Sequence, residues 1–219
     1  MLKKLYSSPY LVRIVPFAAF VALTLIQGEF GDAGQYWIYT AKTLLGAWLL
    51  WLVRKHVAEM RWSFSWEAAA VGVAVFLAWV GLDGMYPMLM ERSGSFNPVK
   101  SYGGGSPMAL AFIAVRILGS TLVVPPLEEV FYRSFAYRWL VKPDFASVPL
   151  GAFRWWAFLV VGVVFGLNHF EWLPGILCAF AYQGLVCRKG RLGDAMAAHA
   201  ITNLLLGAWV VWKDAWQFW

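Results

Sequence analysis

The sequence predicts an all-α protein, a polytopic transmembrane helical bundle of about seven to eight membrane helices. Three observations predict it. Of 219 residues, 61% are hydrophobic and only 14% are charged, with a mean hydropathy of +0.61; soluble domains run at about 45–50% apolar and about 25% charged. The apolar residues gather into runs near the roughly 20 residues that cross a bilayer. Many of the 14 Trp, such as Trp37, Trp62, Trp155, Trp172 and Trp219, fall near the ends of these runs, where interfacial anchors sit. Residues 1–219 read as one integral membrane domain, with three spans in 1–106 and the chemistry-bearing helices in 107–212.

The formal charge of +6 does not indicate nucleic acid. In such a chain it indicates Lys and Arg held in cytoplasmic loops, with the lipid bilayer as the first partner. Cys178 and Cys187 share one apolar stretch and give neither a disulfide framework nor a Cys metal site.

The first run, about 9–27, follows Met1-Leu2-Lys3-Lys4 without a small-x-small cleavage site, so it reads as an uncleaved span. The acidic loop Gly28–Asp32 is expected outside. The second span, about 35–53, ends in Arg54-Lys55-His56, a cytoplasmic signal; His56 reads as an interfacial loop residue. The third, about 66–88, carries Asp83 between Gly81 and Gly84, a break at the interface. The Gly- and Ser-rich stretch 91–106 is expected to be a flexible external loop. The fourth run, about 107–124, is interrupted by Arg116, which snorkels, pairs with the Glu128/Glu129 region or lines a wet cavity.

Pro125-Pro126 is expected to end or sharply kink that helix and to open a new one over about 126–141. A short apolar helix follows at about 154–168, then 176–187, the basic loop Arg188–Arg191 and a last span at about 194–212. Counting every run as a full span leaves the basic loop outside. One arrangement avoids this: 126–141 runs outward, 154–168 returns, and 173–187 is re-entrant, which is tolerated when buried in protein. Loop 142–154, with Lys142 and Arg154, is then external.

Within these runs, Glu128, Glu129, Arg133, His169, His199 and Asn203 stand out. Ionisable groups in hydrocarbon cost about 2.5–3.5 kcal/mol each on insertion scales, which makes them functional candidates. Glu129 and Arg133 are four apart on one helix face and should pair. Glu128 is rotated about 100° away and keeps no cation of its own, which leaves it free to act as a general base. His199 and Asn203 are also four apart, so one face of the last helix presents an imidazole and an amide able to donate to an oxyanion. Phe165 and His169 repeat the spacing. Taken singly, each pair has an ordinary structural explanation; together they converge on one polar site.

Glu128-Glu129-x-x-x-Arg133, Phe165-x-x-x-His169 and His199-x-x-x-Asn203, in that order, resemble the three motifs of the CPBP intramembrane proteases, which include the type II CAAX prenyl endopeptidases. The resemblance covers about 107–212. It implies that Glu128, with His169, activates the water that attacks a peptide carbonyl. It implies that His199 and Asn203 stabilise the oxyanion, and that Glu129 and Arg133 support the site. It further implies a membrane-associated peptide or protein substrate, cut near its C-terminus. The short, aromatic-rich form resembles the CAAX-protease-related proteins that accompany bacterial exosortase systems, hence a multi-pass protein of the bacterial inner membrane. Two His and a Glu are able to bind zinc, but H-E-x-x-H spacing is absent, so no metal and no cofactor is expected. Water must reach Glu128, so a wet cavity open to the cytoplasm is expected. The rivals are a proton-coupled transporter, for which no inverted repeat is visible, and a non-proteolytic scaffold or immunity-type protein.

Overall fold

The computed structural model describes residues 2–89 and 96–219. All regular structure among them is helical. The helices are α1 (Leu2–Ser7), α2 (Leu11–Leu25), α3 (Gly31–Val53), α4 (Trp66–Gly81), α5 (Pro98–Tyr102), α6 (Pro107–Val141), α7 (Trp155–Leu167), α8 (Trp172–Lys189) and α9 (Gly193–Lys213). By length and composition α6 and α9 are able to cross a membrane, and α2, α4 and α7 are shorter apolar helices. Outward positions such as Leu44, Trp48, Trp51, Leu159 and Val164 are exposed, an apolar rind larger than soluble monomers carry.

The helix expected to stop at Pro125-Pro126 does not stop. Residues 107–141 form one 35-residue helix. The turns Gly119–Val123 and Val130–Ala136 are widened to π-helix on either side of the prolines. A wider turn shifts the hydrogen-bond ladder and opens room for a ring that the tighter α-turn would reject.

This one correction reorders the topology. Tyr10 donates to the Pro143 carbonyl at 2.8 Å, Arg13 to Glu59 at 2.6 Å, and Lys189 to Glu67 at 2.7 Å. The N-terminus and the loops 54–65, 142–154 and 188–192 therefore share one end of the bundle, the basic end. At the opposite end Trp172 donates to the Pro87 carbonyl at 2.9 Å, and Phe96 packs on Trp219. Helix α8 runs the full way between the ends, so 173–187 is not re-entrant. Loop 142–154 lies with the other basic loops, not across from them. The re-entrant arrangement was needed only because α6 was counted as two helices. The stretch 91–106 lies in part outside the described residues; its described part contains α5.

A clasp closes the basic end. Glu59 accepts from Arg13, from Arg138 at 3.3 Å and from Ser134, tying the 54–65 loop to α2 and α6. Burial alone raises the Glu59 carboxyl, but the Arg13 guanidinium and the Ser134 hydroxyl outweigh it and hold the group below its ordinary range.

Two glycines set the close crossings that frame the site. A Cβ at Gly72 would lie 2.7 Å from the Ala198 carbonyl and 2.9 Å from Ile201. The missing side chain lets α4 touch α9, and Thr202 donates to the Gly72 carbonyl at 2.8 Å. A Cβ at Gly166 would lie 2.6 Å from the backbone nitrogen of Ile176, so α7 and α8 form a tight hairpin with Asn168-His169 at its turn.

Candidate active site

Helix α6 carries Glu128 and Glu129 one turn past the prolines, and α9 brings His199 against them. Glu129 is wholly buried. Its Oε1 lies 3.0 Å from His199 Nδ1 and its Oε2 lies 3.2 Å from Arg133 Nε. Facing a carboxylate, Nδ1 is the donor, which fixes the ring orientation and aims Nε2 at Glu128. Glu128 Oε2 lies 3.9 Å from that Nε2. This is too long for a direct hydrogen bond and short enough for one water to touch both. The Tyr182 ring stacks on His199 at 5.2 Å and holds the plane of the imidazole.

Exposure separates the two glutamates. The Glu128 side chain is 17% exposed and that of Glu129 is 0%. His169 and Asn203 are also partly exposed, whereas Arg133 and His199 are buried. An inner layer, Glu129–Arg133–His199, thus backs an outer layer of partly exposed side chains.

Arg133 has no hydrogen bond at Nε, Nη1 or Nη2. Its charge is met by Glu129 and by the face of Phe165, 4.4 Å from Cζ, a cation–π contact that gains strength away from water. Phe165 also packs on the His169 ring at 4.8 Å. His169 Nδ1 lies 2.8 Å from the Phe165 carbonyl; a carbonyl only accepts, so Nδ1 carries the proton and Nε2 is left as a base. No direct hydrogen bond joins His169 to Glu128 among the described residues.

Asn203 Nδ2 donates to the Ser120 carbonyl at 2.7 Å, and the ladder explains why that carbonyl is available. In the widened turn the Val124 N–H bonds back to Gly119, five residues earlier. The next donor in that pattern, to Ser120, is residue 125, a proline without an N–H. Asn203 takes the acceptor the proline leaves empty. One of its amide hydrogens is spent there and the other remains for a ligand.

Arg116 does not pair with the glutamates. It lies over Tyr39 and Phe96, about 18 Å along α6 from Glu128. The sequence reading also passed over Tyr132 and Asn168. Asn168 Nδ2 donates to the Tyr132 hydroxyl at 2.9 Å, tying the turn that bears His169 to α6. Tyr132 is four residues from Glu128, so the spacing that paired Glu129 with Arg133 points to it as well. Asn168 leaves no such signal.

No group of three or more His, Cys, Asp and Glu side chains is placed to hold a metal ion among the described residues. An apolar recess of about 200 Å³ opens between α4 and α8, lined by Val75, Pro174, Leu177 and Cys178 among others. None of the polar groups above lines it.

Residues 110–205 match the family model described as type II CAAX prenyl endopeptidase Rce1-like. This part of the chain is Rce1-like. The match runs from the start of α6 into α9 and takes in all six polar residues of the site. Neither the curated proteins nor the solved structures compared with the chain gave a match. The matched family is one of endopeptidases, and the apolar helices of the chain are compatible with a membrane setting.

Proposed function

We propose that the protein is an intramembrane endopeptidase that hydrolyses a peptide bond of a membrane-associated substrate near its C-terminus. The observation that carries this is the pair of unlike carboxylates around His199, one sealed and bonded to both Arg133 and His199, one partly exposed and 3.9 Å from the same imidazole without a hydrogen bond. Glu128 takes the proton of a water held between it and His199, with His169 Nε2 as the second acceptor on the exposed side. The water oxygen attacks the carbonyl carbon, and the proton passes to the leaving amine. Asn203, through its free N–H, and His199, in its doubly protonated form, donate to the oxyanion. Glu129 and Arg133 hold His199 and the charge balance of the inner layer.

The reaction proceeds without a metal. Helices α2, α3, α4, α6, α7, α8 and α9 are the seven that cross, in the bacterial inner membrane, with the basic end in the cytoplasm. The test is cleavage of an internally quenched, C-terminally prenylated peptide by the purified full chain in detergent. Cleavage that disappears in Glu128→Gln and His169→Ala, with unfolding midpoints kept, supports the reading. Full cleavage by both variants removes it. Loss of activity to a chelator, restored by zinc, removes the metal-free route.

A further inference from the structure

Among the described residues four cationic side chains are buried: Arg13, Lys42, Arg133 and Arg138. Three of them face a glutamate, Arg13 and Arg138 sharing Glu59 and Arg133 meeting Glu129. Lys42 faces none. It is 4% exposed, near the middle of α3. Its Nζ donates to Thr24 Oγ1 at 2.8 Å and lies 4.8 Å from the Phe20 ring and 4.9 Å from the Tyr39 ring. Arg116 meets the same Tyr39 ring, its Cζ 4.5 Å from the centroid, and Phe96 at 5.0 Å and Trp219 at 5.9 Å. Arg116 Nε is buried without a hydrogen-bond partner. No carboxylate lies within ion-pair distance of Lys42 or Arg116 among the described residues.

Two like charges around one ring in a medium of low dielectric repel each other. Cation–π contacts offset only part of this, less than the cost of an uncompensated buried charge. Among the described residues the arrangement holds two basic side chains and no anion. We propose that Lys42 and Arg116 form a phosphate-binding site for a phospholipid headgroup.

Depth selects the lipid. Thr24 is one residue from the end of α2, and Phe96 and Trp219 close the end of the bundle away from the basic loops. An arginine and a lysine reaching toward that rim among Tyr, Phe and Trp stand at headgroup level. Arg116 is partly exposed, and a guanidinium presents paired N–H donors to phosphate oxygens. Around the same end Leu25, Phe30, Trp37 and Leu110 are exposed, an apolar flank for acyl chains. A substrate carboxylate does not fit. Three residues beyond a bond cut at Glu128 span about 11 Å at most, while Arg116 lies about 18 Å along α6.

The site stands apart from the hydrolytic reading, and its test needs no substrate. The full chain in mild detergent is offered dioleoyl phosphatidylglycerol, and retained lipid is read by native mass spectrometry. Retention is expected in the unaltered chain and in Arg116→Lys, and about tenfold less in Arg116→Gln and Lys42→Met. Dioleoylglycerol, which lacks the phosphate, should not be retained. Equal retention by the Gln and Met variants, or retention of dioleoylglycerol, overturns the proposal. Inorganic phosphate giving the same rise in unfolding temperature as the lipid assigns the site to a free anion and overturns the lipid. If Lys42→Met does not yield folded protein, Arg116→Gln, at the partly exposed position, decides alone.

Discussion

Glu128→Gln should silence the protein without loosening it, and Glu129→Gln should do more to loosen it than to silence it. The two residues are adjacent in sequence and opposite in setting. Glu128 Oε2 makes no hydrogen bond, and its nearest charged partner is 3.9 Å away. Replacing it with the neutral isostere removes a carboxylate from an apolar region at little structural cost, so stability should change by no more than about 1 kcal/mol. On the proposed mechanism the base that takes the proton from water is lost, which should lower kcat/KM by about 10²–10⁴, equivalent to about 2.7–5.4 kcal/mol of barrier. Glu129 is wholly buried and meets Arg133 at 3.2 Å and His199 at 3.0 Å. Its amide leaves Arg133 uncompensated, so the unfolding free energy should fall by about 3–5 kcal/mol. Quenched-peptide cleavage gives the first quantity, and thermal unfolding followed by Trp fluorescence gives the second. A Glu128→Gln chain within threefold of the original kcat/KM refutes the base assignment. Equal loss of stability in both variants refutes the division into inner and outer layers.

Asn203→Ala leaves the Ser120 carbonyl without its donor; unfolding should cost about 1–3 kcal/mol less, and kcat should fall while KM holds, both measurable on one preparation. Gly166→Val would place a Cβ 2.3 Å from Ile176 Cγ1 and 2.6 Å from the Ile176 nitrogen; spreading the α7–α8 hairpin should lower stability by about 2–3 kcal/mol in thermal unfolding. The Glu59 clasp gives a pH signature. Its carboxyl is held below the ordinary range in the fold, so its contribution is complete above that range, about pH 4.3. It is lost as pH falls through the lowered folded value; Glu59→Gln should flatten this acid limb in unfolding measured against pH.

The site was legible where one helix face holds both partners. Glu129 with Arg133 and Phe165 with His169 meet as the i, i+4 rule requires. The same rule reached Asn203 but not its acceptor, because an acceptor freed by a missing N–H is a property of the backbone ladder, not of a side-chain pattern. The Glu129–His199 contact joins residues 70 apart, and no periodicity carries that distance. Composition fixed the helical class, since runs this apolar have no other way to satisfy their backbone in lipid.

At Pro125-Pro126 the sequence predicts a stop and the helix continues, for one physical reason that explains every later displacement. A proline inside an α-turn removes a bond to the carbonyl four residues back and strikes it with its ring; a stop is the sound inference if the turn stays α-helical. A π-turn moves that bond one residue further back and loosens the contact. The chain then runs through both prolines at the cost of two missing N–H donors, and α9 supplies Asn203 to one carbonyl this frees, that of Ser120. The same device therefore keeps α6 whole, sends loop 142–154 to the basic end and presses α9 against the helix that carries the glutamates. The proline pair that looked like the boundary of the site is what draws its two halves together.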